Sequence, residues 1–208
     1  MKASSRIHKI ALVAASLVGM VVTGDALARS SVGGNFSATV SMGAFMQRMT
    51  GINNSHKMVT SSVKKSRIGG DVNLVTRVGA IIQSSNGVGN RNHARFSSVE
   101  RSRVGGDVTA YSRVGAVVQH SMGINNTNDL RVSTVDRSRV GGDVTLIGTA
   151  DAISQSNVGI SNENTLNIAS IVDSRVGGDA NLNARLSTVS QSNSGIDNSN
   201  SGSFGSVD

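Results

Sequence analysis

The word Ser102-Arg103-Val104-Gly105-Gly106-Asp107-Val108 returns along the chain at a fixed distance. Close copies open at Ser66, Ser138 and Ser174, and a weaker one, Ser30-Ser31-Val32-Gly33-Gly34-Asn35-Phe36, opens at Ser30. The starts are spaced by 36 residues without a slip. A period of this kind predicts one structural unit per repeat, stacked on its neighbours, because a single short unit cannot bury its own apolar face.

Each 36-residue repeat also divides into two halves of 18. Aligning Ser102–Gln119 with His120–Arg137 places Gly105 on Gly123, Arg113 on Arg131, Val114 on Val132 and Val117 on Val135. Ten segments follow, opening at residues 30, 48, 66, 84, 102, 120, 138, 156, 174 and 192. The fourth position is glycine in all of them: Gly33, Gly51, Gly69, Gly87, Gly105, Gly123, Gly141, Gly159, Gly177 and Gly195. The sixteenth is always apolar: Phe45, Val63, Ile81, Val99, Val117, Val135, Ile153, Ile171, Val189 and Val207.

Residues that recur in phase are expected to stack. Val and Ile suit strands, and alternation of Val108, Ala110, Ser112 and Val114 with Thr109, Tyr111 and Arg113 is the pattern of a half-buried strand. The expectation is an all-β solenoid of about ten 18-residue coils arranged as five 36-residue repeats (30–65, 66–101, 102–137, 138–173 and 174–208). Coils about 4.8 Å apart would then build a rod of about 48 Å. The sixteenth position becomes an internal aliphatic ladder. The fourth marks a corner needing positive φ or close backbone approach.

Odd segments end in Gln47, Gln83, Gln119, Gln155 and Gln191, whereas even segments carry Asn54, Asn90, Asn126, Asn162 and Asn198 at one position. A second even position holds His56, Asn92, Asn128, Asn164 and Asn200. Side-chain amides donate and accept, so these rows are expected to form hydrogen-bonded ladders. Arg67, Arg103, Arg139 and Arg175 occur only in odd segments, as do Asp71, Asp107, Asp143 and Asp179. On 18-residue coils this alternation would keep like charges two strand spacings apart. The two rows read either as an Arg/Asp ladder or as solvated rows that keep the rod soluble.

Composition agrees with a quasi-one-dimensional fold. Four Phe, one Tyr and no Trp are too few aromatics for an ordinary globular core. The absence of Pro suits a chain that is strand nearly throughout. The absence of Cys excludes disulfides and thiolate metal ligation. His56, His93 and His120 hold different positions in their segments, and no Ser-His-Asp, paired-carboxylate or Cys-His arrangement is visible. Neither an enzyme nor a cofactor is expected. A calcium β-roll would need Gly-Gly-x-Gly-x-Asp in every nonapeptide, and Gly105-Gly106-Asp107-Val108 lacks the third glycine.

Residues 1–28 carry Lys2, Arg6 and Lys9, an apolar run over Ile10–Val22, and the small-x-small triplet Ala26-Leu27-Ala28. This is the pattern of a cleaved secretory signal peptide, with an uncleaved N-terminal anchor as the alternative. It leaves 29–208 as the repeat domain, located outside the cell after passage through the periplasm. Cleavage removes three cations and Asp25, lowering the formal net charge from +7 to +5. With acidic residues interspersed, that balance is not a nucleic-acid signature, and no stable membrane insertion is expected after cleavage. No capping helix or divergent terminal repeat is apparent at either end. Bare strand edges are templates for another chain, so head-to-tail self-association is expected.

The words Gln119-x-x-x-Gly123-x-x-Asn126-x-Asn128 and Gln155-x-x-x-Gly159-x-x-Asn162-x-Asn164, with Gly115-Ala116-Val117-Val118-Gln119 before the first, resemble the Gln/Gly/Asn repeats of curli-type bacterial functional amyloids. The resemblance covers residues 30–208. It implies an exported subunit that assembles into an extracellular fibre for biofilm matrix, adhesion or surface coating. A nucleator and an outer-membrane secretion channel stand as optional partners. The alternatives are a minor fibre nucleator, or a monomeric exported solenoid binding a polysaccharide or a cell-surface partner. Against the polysaccharide stands the absence of the stacked aromatics that such a site would want.

Overall fold

A computed structural model describes residues 21–28 and 30–208. The described chain is strand and turn throughout, without a helix. It is a β-solenoid of five turns whose strands are parallel and whose register offset is 36 residues in every sheet.

Three strand families run up the solenoid. The first is a set of two-residue strands: β2 (Ser31–Val32), β5 (Arg67–Ile68), β8 (Arg103–Val104), β11 (Arg139–Val140) and β14 (Arg175–Val176). The second comprises 17-residue strands: β3 (Phe36–Ile52), β6 (Val72–Val88), β9 (Val108–Ile124), β12 (Val144–Ile160) and β15 (Ala180–Ile196). The third comprises β4 (Ser55–Lys64), β7 (Arg91–Glu100), β10 (Thr127–Asp136), β13 (Glu163–Val172) and β16 (Ser199–Phe204). A further strand, β1 (Val21–Ala28), pairs with β4 in the same 36-residue register, Val22 opposite Met58 and Leu27 opposite Val63. The sequence-based leader therefore lies partly in β1 and partly at residues 1–20, outside the described residues.

The 36-residue repeat and the all-β solenoid stand as the sequence indicates, but the 18-residue halves are not separate coils. They are the two limbs of one turn, and five turns rise about 24 Å. The physical reason lies in what each limb can bury alone. The inward residues of the long strand, Val108, Ala110, Val114 and Val117, are covered by Leu130, Val132 and Val135 of the facing limb. One limb has no opposite wall within itself, so the core closes only at 36 residues. Like residues then stack on like: Gln83 lies beside Gln119, Gly87 beside Gly123 and Val117 beside Ile153.

The ladder at the sixteenth position is consequently two ladders. Phe45, Ile81, Val117, Ile153 and Val189 rise along the long strands, and Val63, Val99, Val135 and Ile171 along the shorter ones, with Val207 bridged to Ile171. Seven are fully buried, from Val63 to Ile171, while Phe45 in the first turn is half-buried. Val189 and Val207 are 38% and 64% exposed because the fifth turn has nothing stacked on its upper face.

Corners are made in two ways. Gly51, Gly87, Gly123, Gly159 and Gly195 have φ between +123° and +136°. A Cβ on Gly123 would meet Gly87 O at 1.9 Å, so both conformation and space demand glycine. Gly69, Gly105, Gly141 and Gly177 lack positive φ, and there close approach alone applies: a Cβ on Gly105 would stand 2.4 Å from Gly69 O. Gly33, in the first turn, has nothing within 4 Å.

Candidate functional site

The interior has an aliphatic end and an amide end. At the amide end Gln83, Gln119, Gln155 and Gln191 each donate from Nε2 to Oε1 of the glutamine one turn earlier, at 3.0, 2.8, 2.8 and 2.8 Å, which extends the row down to Gln47. Across the core the second even position runs the other way. His56 Nδ1 donates to Asn92 Oδ1 at 2.8 Å, because Asn92 Nδ2 is itself committed to Asn128 Oδ1 at 2.9 Å. Asn128 and Asn164 continue the row to Asn200. Ser121 Oγ joins the two limbs by donating to Asn128 Oδ1 at 2.9 Å.

The row of Asn54, Asn90, Asn126, Asn162 and Asn198 is built differently. Each side-chain Oδ1 from Asn90 to Asn198 accepts from the backbone N–H of the asparagine one turn earlier, at 2.8–3.1 Å. Asn126 Nδ2 donates to Gly87 O at 3.3 Å, clamping the corner glycine of the preceding turn. This is a side-chain-to-backbone ladder, not the amide-to-amide ladder that composition suggested. A periodic asparagine beside a glycine corner was the available signal for it.

The opening word decomposes residue by residue. Ser102 Oγ donates to Glu100 O at 2.8 Å and accepts from Ser66 N–H at 3.1 Å. Arg103 is exposed and Val104 buried. Gly106 is fixed by its neighbour, since a Cβ there would lie 2.0 Å from Asp71 Oδ1. That oxygen accepts the backbone N–H of Asp107 at 3.0 Å, and Asp107 does the same for Asp143 at 2.8 Å. The aspartate row therefore caps backbone, and among the described residues it makes no ion pair with the arginine row.

The arginines themselves sit in direct register: Arg67 beside Arg103, Arg103 beside Arg139, Arg139 beside Arg175. The expected doubling of their spacing does not occur, since one turn is one strand spacing of about 4.8 Å. Their guanidinium groups point into water, where repulsion at this distance is on the order of 1 kcal/mol, less than the buried register is worth. With Lys65, Arg101 and Arg137 they line an open groove of about 890 Å³ running up the serine edge.

A second charged cluster lies half-buried on the outer face of the shorter strands. Arg95 pairs with Glu100 and reaches Asp129 at 3.6 Å, Lys64 meets Glu100 at 3.1 Å, and His93 meets Asp129 at 3.2 Å. Arg131 bridges Asp129 at 3.3 Å and Asp136 at 2.6 Å. Burial would raise the carboxyls of Asp129 and Glu100, but the surrounding cations win and hold both below their ordinary values. Burial would lower the Arg131 guanidinium, but Asp129 and Asp136 beside it raise it above its ordinary value. The cluster's carboxylates are all paired, but one donor is left over: Arg95 Nε is buried without a hydrogen-bond partner. Among the described residues no group of His, Asp and Glu is arranged to hold a metal ion. Comparison with protein-family models, with curated proteins and with solved structures finds no match.

Proposed function

We propose that the protein is an exported structural subunit that polymerises by stacking turns into an extracellular curli-like fibre, serving as matrix, adhesin or coat. The observation that carries this reading is the self-complementarity of each turn. The upper face of every turn offers the same amide acceptors and donors, aliphatic ladder residues and backbone edge that the lower face of the next receives. The fifth turn presents that upper face to solvent, with Val189 and Val207 exposed where their counterparts Ile153 and Ile171 one turn earlier are buried. A second copy seated there would meet the surface that turns two to five meet within one chain. Such a contact is heterologous and open-ended, which leads to filaments instead of closed rings.

Electron microscopy of the 29–208 protein, with a thioflavin-type dye and fibre diffraction, tests it. Unbranched fibres growing after a lag, with a meridional spacing of about 4.8 Å, are the expected result. A monomer that persists at high concentration over days would overturn the proposal.

A further inference from the structure

The serine edge carries a charge pattern that neither folding nor stacking requires. Arg67, Arg103, Arg139 and Arg175 form one row up the solenoid and have no ion pair among the described residues. Lys65, Arg101 and Arg137 form a parallel row two residues before them. The contacts of this second row to carboxylates are long: Arg101 Nε to Glu100 at 3.9 Å, and Arg137 Nε to Asp136 at 3.8 Å and to Asp173 at 3.6 Å. Between the rows the serines are committed internally, Ser102 and Ser138 to the backbone carbonyls of Glu100 and Asp136. The groove is therefore read by its cations.

Two features separate these cations from an ordinary solvated face. Lys65, Arg101 and Arg137 occupy left-handed corners with φ of 48–51°. Glycine or asparagine fits such corners with less strain than a long cationic side chain does, and Asp173 holds the same corner one turn on. The rows also repeat at a constant register of one residue of each row per turn. They present seven cations over four turns, against one carboxylate in the groove, Asp173.

We propose that this groove binds a linear acidic polysaccharide, with the carboxylate of every second sugar facing every second turn of the solenoid. In an extended 1→4-linked uronate ribbon successive rings face opposite ways, so one edge carries a carboxylate on every second ring, a repeat close to two strand spacings of about 4.8 Å each. Each carboxylate can meet a guanidinium fork, the geometry for which arginine is suited. Single-stranded nucleic acid fits less well, because the groove has no aromatic residue on which bases could stack. Duplex DNA fits less well because its phosphates recur about every 3.4 Å along each strand, out of step with turns about 4.8 Å apart. The groove is complete within one chain, so the proposal does not rest on polymerisation; a fibre would only lengthen the track.

Binding of the 29–208 protein to polymannuronate, and to neutral dextran as a control, tests the assignment by titration calorimetry at two salt concentrations. Tight, salt-sensitive binding to the polyuronate alone is expected. The R103Q/R139Q protein should lose affinity by at least about tenfold, since one charge-assisted bond corresponds to roughly that factor. R113Q/R185Q removes the same net charge from outside the groove and should stay within about twofold of the parent. Circular dichroism establishes that both variants are folded. Equal losses in the two variants would reduce the effect to net charge and overturn the proposal. So would absence of polyuronate binding, or duplex DNA binding as tightly with the same dependence on Arg103 and Arg139. Fibre assays on the same variants report separately on polymerisation.

Discussion

Gln119 donates from Nε2 to Gln83 Oε1 at 2.8 Å, so the glutamine row points towards the first turn, while the asparagine row facing it points towards the last. Two antiparallel lines of amide dipoles thus lie side by side in the amide half of the interior. Their fields oppose one another, and each amide is satisfied without water.

Replacing Gln119 by Ala should therefore cost more than one average hydrogen bond. It strands Gln83 Oε1 below and leaves Gln155 Nε2 above with backbone acceptors alone, Thr165 O at 2.9 Å the nearer. A loss of about 2–4 kcal/mol is expected, read as a lower denaturant midpoint. An unchanged midpoint would show that the ladder contributes nothing.

The two kinds of corner separate by substitution. Gly123→Ala places a Cβ 1.9 Å from Gly87 O at φ +124° and should destabilise by at least about 3 kcal/mol. Gly33→Ala meets open space without positive φ and should leave the melting temperature nearly unchanged. Equal effects would refute the distinction.

Acid should weaken the fold in two windows. Burial lowers the pKa of His56 from 6.5, against the hydrogen bond with Asn92 that raises it. Asp129 and Glu100 are held below 3.8 and 4.5. In all three cases the unfolded chain takes up its proton first as pH falls. The stability they contribute is present above the unfolded values and is lost as pH drops through the lower folded ones. Melting temperature should fall first below about pH 6.5 and again below about pH 4.5. His56→Asn, which installs the residue found in every other turn, should remove the first decline and keep the second.

Assembly should depend on the exposed face of the fifth turn and not on its interior. Val189→Asp with Val207→Asp leaves the buried ladder of the first four turns intact and puts charge where a second copy would sit. A folded protein that forms no fibres in the dye assay is expected. Undiminished growth would move the contact elsewhere. Strand β1 offers a complementary test, because it occupies the edge of β4 that a neighbouring copy would use. Protein retaining residues 1–28 should therefore nucleate more slowly than the 29–208 form, measured as a longer lag.

Strand content, parallel stacking and the 36-residue period were legible in the sequence because each is written as repetition. The size of one turn was not. Gly105 and Gly123 share a position in the 18-residue alignment, yet only Gly123 has positive φ. The shared letter hides two backbone conformations. Val117 and Val135 likewise share a position and lie in opposite walls of one core. Periodicity reports which residues resemble one another; burial decides which ones touch. The arginine spacing followed the turn size, so it shifted with it. The capping role of Asp107 depends on a backbone N–H one turn away, a contact that no local spacing encodes.

Within each of the three sheets every strand pairs parallel with the strand one turn on, so each turn stacks on the last in the same sense. A stack continued into further molecules would inherit that arrow, and its two tips would be chemically different objects. One would offer Gln191 Oε1 and a bare upper edge, the other the underside of the first turn. Growth rates at the tips need not match, and a blocker shaped for one tip would be ignored by the other. A cell anchoring such a filament by one tip would thereby choose whether new subunits arrive at its surface or far from it.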